Sequence, residues 1–481
     1  MPPPRKVVKT KQQIDYEKEL EAKARYKLRT LEDGEVDPAD RTLLFESRFE
    51  SGNLYLAQKV SDHEYNLLMQ NDINTNGHTQ WFFYQVKNMR KNLTVQFNIM
   101  NFTKPDSLFN FGMKVSIYSE IMAKGTDEEG ADGRGWFRGG DRISYYCNGI
   151  KKDVGYTSKG YYTMSFSYKF QHDHDSVYFA FCYPYTYSDL MADIFEIESD
   201  AGRRAICSRK SLCKTLAGND CELLTVTEKG DFEKMQKKKA VVISARVHPG
   251  EVVGSWMMRG VLFFLTDPEN HEAKLLRERY IFKIIPMLNP DGVINGNYRC
   301  SLAGCDLNRR WKTPHKNLHP TIYHTKRLIR DLHHERGLLM YCDLHGHSRK
   351  QNVFMYGCNN RYKPEECRVF PLMLSKLSQY FDFGSCRFGV QKSKESTARV
   401  SLYKELRSCP NIFTMESTFS GVDIGEHKGQ HMRTSMFEEM GRDLCRTLLI
   451  YENIFIPKEL EHIFGSLEKD GTPKDMNAVF T

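Results

Sequence analysis

The feature that most constrains this fold is a series of short apolar runs: AVVISARV (Ala240 to Val247), IFKIIPML (Ile281 to Leu288), LLMYCDL (Leu338 to Leu344) and NIFTMES (Asn411 to Ser417). A fifth run, NVFMYG (Asn352 to Gly357), closely follows the third. Runs of this length, bounded by turn residues, read as buried strands. The first is followed by a helical pattern carrying Val252, Val253, Trp256, Met257 and Leu262. Strands alternating with helical stretches predict an α/β unit whose sheet is covered by helices on both faces.

That pattern begins only after Tyr183-Pro184-Tyr185. Upstream, Leu93, Val95, Phe97 and Ile99 alternate with Thr94, Gln96 and Asn98, and Met164, Phe166, Tyr168 and Phe170 alternate with Ser165, Ser167 and Lys169. This period of two marks half-buried strands. Turn signals such as Ser51-Gly52-Asn53 punctuate them, and Gly125 to Asp141 is rich enough in Gly and Asp to read as a loop. The expected order is a charged, flexible arm at residues 1–41, an antiparallel β-sandwich at 42–178, an α/β catalytic domain at 179–456 and a tail at 457–481. A chain of 481 residues supports two such cores.

Formal net charge is +8, which favours acidic partners. Without a dense Lys/Arg block beside a nucleic-acid signature, the sequence points away from RNA or DNA. The start, MPPPRKVVKTKQQ, lacks the apolar core of a secretory signal. No apolar run approaches the roughly 18 residues that span a bilayer. Thirteen cysteines without close regular spacing read as reduced thiols. These signs lead to the expectation of a cytoplasmic, non-membrane protein.

His248 and Glu251 flank a Pro-Gly pair where the first apolar run stops, His345 closes the third, and Glu416 lies in the last. Open α/β sheets place their ligand crevice at the carboxyl ends of such strands. Two histidines and a carboxylate with an open fourth position form the ligand set of a catalytic zinc site, although His-x-x-Glu alone also fits a decorated turn. Arg299, Asn308 and Arg309, in the loop after the second strand, suit an anionic ligand, because guanidinium grips a carboxylate with two bonds. Asp306 can accept the second ring proton of a metal-bound histidine.

The segments RVHPGE (Arg246 to Glu251), MLNPDGVINGNYRCSLAGCDLNRRW (Met287 to Trp311), YCDLHGHSRKQNVFMYGC (Tyr341 to Cys358) and FTMESTFSG (Phe413 to Gly421) resemble the zinc metallocarboxypeptidases. More closely, they resemble the cytosolic carboxypeptidase subfamily, the tubulin deglutamylases. The upstream LLFESRFESGNL (Leu43 to Leu54), TQWFFYQV (Thr79 to Val86) and YPYTYSDL (Tyr183 to Leu190) fit as well, so the resemblance runs from about Thr42 to Asn453. CDLHGHSRK and SLAGCDLNRR lean toward the vertebrate enzymes two and three. The fold implied is a metallocarboxypeptidase-like mixed sheet flanked by helices, preceded by an antiparallel β-sandwich.

By position, the resemblance makes His248, Glu251 and His345 the ligands of one Zn2+ per chain and Glu416 the catalytic carboxylate. Asn308 and Arg309 would hold the terminal carboxylate of the substrate, and Arg299 would polarise the scissile carbonyl. Secreted pancreatic-type relatives carry an arginine directly before the zinc glutamate and a mobile tyrosine before the catalytic one. Here Gly250 precedes Glu251 and Lys394 falls roughly where that tyrosine would stand; the subfamily as a whole lacks both the arginine and the tyrosine. The side-chain pocket falls on VQKSKESTARV (Val390 to Val400), where Arg399, with Lys392 or Lys394, would pair with a glutamate side chain. The implied substrates are polyglutamylated tubulin or other acidic tails; the sequence does not fix the oligomeric state, and a monomer is the expectation. Placement at the cytoskeleton, cilium or basal body follows from the family alone. Two other readings use the same crevice: an amidohydrolase acting on small N-acyl amino acids, and a non-catalytic scaffold binding microtubule tails.

Overall fold

The computed structural model describes residues 40–125, 135–151, 160–456 and 458. All but the last two residues of the expected arm, most of the tail, and residues 126–134 and 152–159 lie outside the described residues. The chain divides into two compact units, Met1–Pro184 with Gly292–Gly304, and Tyr185–Asp291 with Cys305–Thr481. The sequence reading had put the boundary at 178/179 and assigned the whole of 292–304 to the catalytic domain. That insert instead hydrogen-bonds to the first unit: the Ser51 amide donates to the Ile294 carbonyl, and the Asn74 side chain donates to the Leu302 carbonyl.

The first unit contains two five-stranded sheets. One runs β1 (Leu44–Glu46), β4 (Phe83–Lys87), β10 (Val177–Ala180), β6 (Val115–Ser119), β7 (Trp136–Gly139). The other runs β2 (Leu54–Ser61), β3 (Glu64–Met69), β5 (Thr94–Phe102), β9 (Gly160–Lys169), β8 (Asp141–Lys151). Pairing is antiparallel apart from β3 with β5. Alternation along β5 buries Val95, Phe97 and Ile99. Phe97 meets Phe166 at 5.3 Å and Phe179 at 5.2 Å between ring centroids, so aromatic side chains from both sheets join the core. The Gly-rich stretch read as a loop includes a strand after all, because Trp136 and Phe137 pair with Tyr118 and Ile117 of β6.

The second unit is a seven-stranded mixed sheet in the order β11 (Cys207–Lys214), β12 (Asp220–Val226), β14 (Tyr280–Ile285), β13 (Lys239–Ala245), β15 (Leu338–His347), β17 (Ile412–Thr418), β16 (Val353–Tyr356). The central strands β14, β13, β15 and β17 are parallel, and the outer pairings are antiparallel. On one face, Ile322, Ile329 and Leu332 of helix Pro320–Arg336 pack with Ala240, Val242 and Tyr341. Helix Val253–Leu265 packs on β15 and crosses helix Thr434–Tyr451. That crossing is close because a Cβ at Gly260 or Gly441 would strike backbone of the facing helix. None of the thirteen cysteines is joined in a disulfide.

Candidate active site

The site starts with a turn. After β13 the chain passes through Arg246, held at φ +55° although it is not glycine. Its buried guanidinium donates to the Pro249 carbonyl at 2.9 and 2.7 Å, the Tyr185 carbonyl at 2.8 Å and the Ser255 hydroxyl at 2.8 Å. This clamp fixes the 246–251 turn, with the Glu251 amide bonded to the His248 carbonyl at 3.2 Å. His248 and Glu251 therefore leave one rigid turn.

His345 comes from β15, directly across from Glu416 of β17 in the parallel register. The sequence reading ended that strand at His345, but pairing continues to His347 opposite Thr418. The structure brings His248, Glu251 and His345 together: one ligand atom from each lies within 4.8 Å of the others, and all three are buried. Nδ1 of His248 is 2.7 Å from Glu251 Oε1, and Nδ1 of His345 is 2.9 Å from Glu251 Oε2. Both outer nitrogens meet carboxylates, His248 Nε2 at Asp306 (3.0 Å) and His345 Nε2 at Asp343 (2.7 Å). The Asp306 role was legible beforehand; that of Asp343 was not.

Burial opposes charge on Glu251, yet the two histidines hold its carboxyl well below the usual range. Burial likewise opposes charge on His345, but Asp343 and Glu251 hold it well above the usual imidazole value. Two imidazole nitrogens facing one carboxylate, each with its outer nitrogen braced by another carboxylate, are the donor chemistry of a zinc site. The residues fit the ion.

Asp306 also caps the short 3-10 turn Leu307–Arg309, its Oδ1 accepting from the Asn308 amide at 2.8 Å. Asn308 is buried and spends its side-chain oxygen on the Ala398 amide at 3.0 Å, which leaves its amide hydrogens for a ligand. The Arg309 guanidinium donates to the Asn308 carbonyl at 3.0 Å and stands 3.9 Å from Asp306, with a third of the side chain exposed. The Asn308–Ala398 bond ties this turn to helix Ala398–Glu405, which carries Arg399.

Arg399 is buried, and its guanidinium donates to the Gly357 carbonyl and to Cys358 Sγ (3.2 Å) beside the Tyr356 ring. No carboxylate among the described residues pairs with it. Burial raises the Tyr356 hydroxyl pKa, and the Glu416 charge adds to this while Arg399, Arg387 and Arg349 oppose it. Lys392 and Lys394 sit on the single turn Lys392–Lys394. Lys392 is exposed and its charge acts on Glu395, so the structure does not group it with the buried guanidinium.

Arg299 belongs to the segment that folds with the first unit. There the buried Asp72 carboxylate accepts the backbone N–H groups of Tyr298, Arg299 and Cys300 at 2.5, 2.7 and 2.7 Å. Sequence reasoning missed this anchor. Its only signal was an acid in the polar stretch Gln70-Asn71-Asp72.

The fold and the buried His–Glu–His trio are the arrangement a zinc carboxypeptidase requires, and residues 201–382 match the family model described as zinc carboxypeptidase. Residues 45–145 match the cytosolic carboxypeptidase N-terminal domain. The chain belongs to the cytosolic carboxypeptidases. It is 46% identical to cytosolic carboxypeptidase 3 of Mus musculus over 423 residues, covering 86% of this chain and 41% of that protein. It is 47% identical to cytosolic carboxypeptidase 2 of Xenopus tropicalis over 414 residues, covering 85% and 42%. With cytosolic carboxypeptidase 2 of Danio rerio the identity is 47% over 413 residues, covering 85% and 56%. The chain thus spans about half the length of these relatives. A metallo-carboxypeptidase from Burkholderia cenocepacia shares the fold, with a TM-score of 0.69 at 22% identity over 86% of this chain and 100% of that one.

Proposed function

We propose that this chain is a zinc-dependent carboxypeptidase that removes C-terminal glutamates from acidic protein tails, polyglutamylated tubulin among them. The observation that carries the reading is the buried trio of His248, Glu251 and His345 with Glu416 in register beside it. Those three residues would hold zinc, which supplies Lewis acidity at the scissile carbonyl. Glu416 accepts a proton from the attacking water and returns it to the leaving amine. Asn308 and Arg309 hold the free α-carboxylate, so a chain end is required. Arg299 is assigned the scissile carbonyl on the sequence resemblance alone. A cytosolic setting is supported by the names of the relatives, and a monomer stands as the simplest assembly.

Glutamate preference is supported by Arg399, a buried guanidinium that lacks a carboxylate partner among the described residues. A buried charge without a counter-charge is costly, and a substrate carboxylate would supply one. Arg399→Ala should lower the ratio of kcat/KM for peptides ending in Glu over Phe by on the order of a hundredfold. An unchanged ratio would remove Arg399 from the pocket and leave the hydrolytic reading standing.

A further inference from the structure

The two candidate histidine ligands are braced differently. His248 relies on Asp306, a loop residue whose carboxylate is partly exposed and also caps the Asn308 turn. His345 relies on Asp343, two positions earlier on the same strand and fully buried. The register of β13 with β15 sets Ser244 directly across from Asp343. The Ser244 hydroxyl donates to Asp343 Oδ1 at 2.7 Å and lies 2.9 Å from the Tyr341 hydroxyl. Tyr341, Asp343 and His345 alternate along β15, so they share one face of the sheet.

The direction of each hydrogen bond follows from the donor count. Ser244 has one hydroxyl proton and gives it to Asp343, so Tyr341 must donate to Ser244. Burial pushes the Tyr341 hydroxyl well above its ordinary pKa, with the Asp343 charge adding to this, so the phenol keeps the proton it donates. Asp343 then has Oδ1 committed to Ser244 and Oδ2 facing His345 Nε2. With Nε2 turned onto Asp343 and Nδ1 turned onto Glu251, Nε2 is the nitrogen that keeps its proton when a metal binds and Nδ1 is the one that faces the ion.

We infer that Asp343, Ser244 and Tyr341 form a buried relay of positioning residues that fixes the tautomer and ring orientation of His345 and thereby sets zinc affinity. This rests on the proposed ligand role of His345. Without the relay, the two strands would bury an aspartate, a serine and a tyrosine at a cost that unpaired polar groups do not repay.

The test is the zinc dissociation constant of the purified full chain, measured by competition with a chromophoric chelator, together with the visible spectrum of the Co(II)-loaded protein. Asp343→Asn should weaken zinc binding by roughly tenfold to a hundredfold and shift the cobalt bands. Ser244→Ala and Tyr341→Phe should weaken it by successively smaller factors. Thermal melts run beside each variant. Should Asp343→Asn fail to fold, Ser244→Ala and Tyr341→Phe decide the matter, because each removes only a hydroxyl group. A lowered melting temperature with parental zinc affinity and an unshifted cobalt spectrum would overturn the relay. A parent chain that takes up no zinc would instead overturn the ligand assignment itself.

Discussion

At the scale of single residues, the site depends on a cation that is not part of the chemistry. Arg246 holds the His248–Glu251 turn through four hydrogen bonds while its own backbone sits in the left-handed region. Arg246→Ala should destabilise the fold by about 3 kcal/mol, since the lost charged hydrogen bonds leave three buried acceptors behind. Arg246→Gly should recover about 1 kcal/mol of that by relieving the positive φ. Denaturant melts of the three proteins check both numbers. His248, Glu251, His345 and Glu416 were legible because chemistry-bearing residues at the ends of apolar runs are conspicuous. Asp343 was printed inside such a run, in LLMYCDL, but its partner Ser244 lies far back in the chain, and only strand register reveals the pairing. Arg246 was similarly mute, because its role is to bind carbonyl groups.

At the scale of elements, the five apolar runs became β13, β14, β15, β16 and β17, since continuous burial leaves a signal that side-chain period cannot confuse with a loop. The hairpin β11–β12 went unread, because Cys207 to Lys214 is largely exposed and polar at the sheet edge. Edge strands are held by backbone bonds, which leave little trace in composition. Helix Thr434–Tyr451 carries a further consequence of burial. Asp443 is buried on it, and burial, with Glu439 nearby, raises its pKa from 3.8 to about 7. A carboxyl whose folded value is raised binds its proton more tightly in the folded chain, so stability falls as pH climbs from the unfolded value toward 7. Above that, the whole penalty is present. Asp443→Asn should therefore melt at a higher temperature than the parent in mildly alkaline buffer. The gain should shrink as the pH is lowered through about 7 and disappear near the ordinary carboxylate range. A gain that is the same at every pH would contradict the burial argument.

At the scale of the whole molecule, the switch from period-two alternation to alternating strands and helices announced two cores, and two units are present. The sequence could not show that Gly292–Gly304, embedded in the second unit's stretch of chain, folds with the first. That assignment is made by Asp72 and by main-chain bonds, neither of which has a sequence signature. The net charge of +8 agrees with an acidic substrate. The central claim is that zinc at His248, Glu251 and His345, with Glu416 as base, releases terminal glutamates. Its most direct test is mass spectrometry of a peptide ending in several glutamates after incubation with the purified chain. Stepwise loss of glutamate is predicted, abolished by a zinc chelator. Glu416→Gln should slow it by on the order of a thousandfold without loss of bound zinc. An intact peptide in the presence of zinc-loaded protein, or undiminished cleavage by Glu416→Gln, would contradict it.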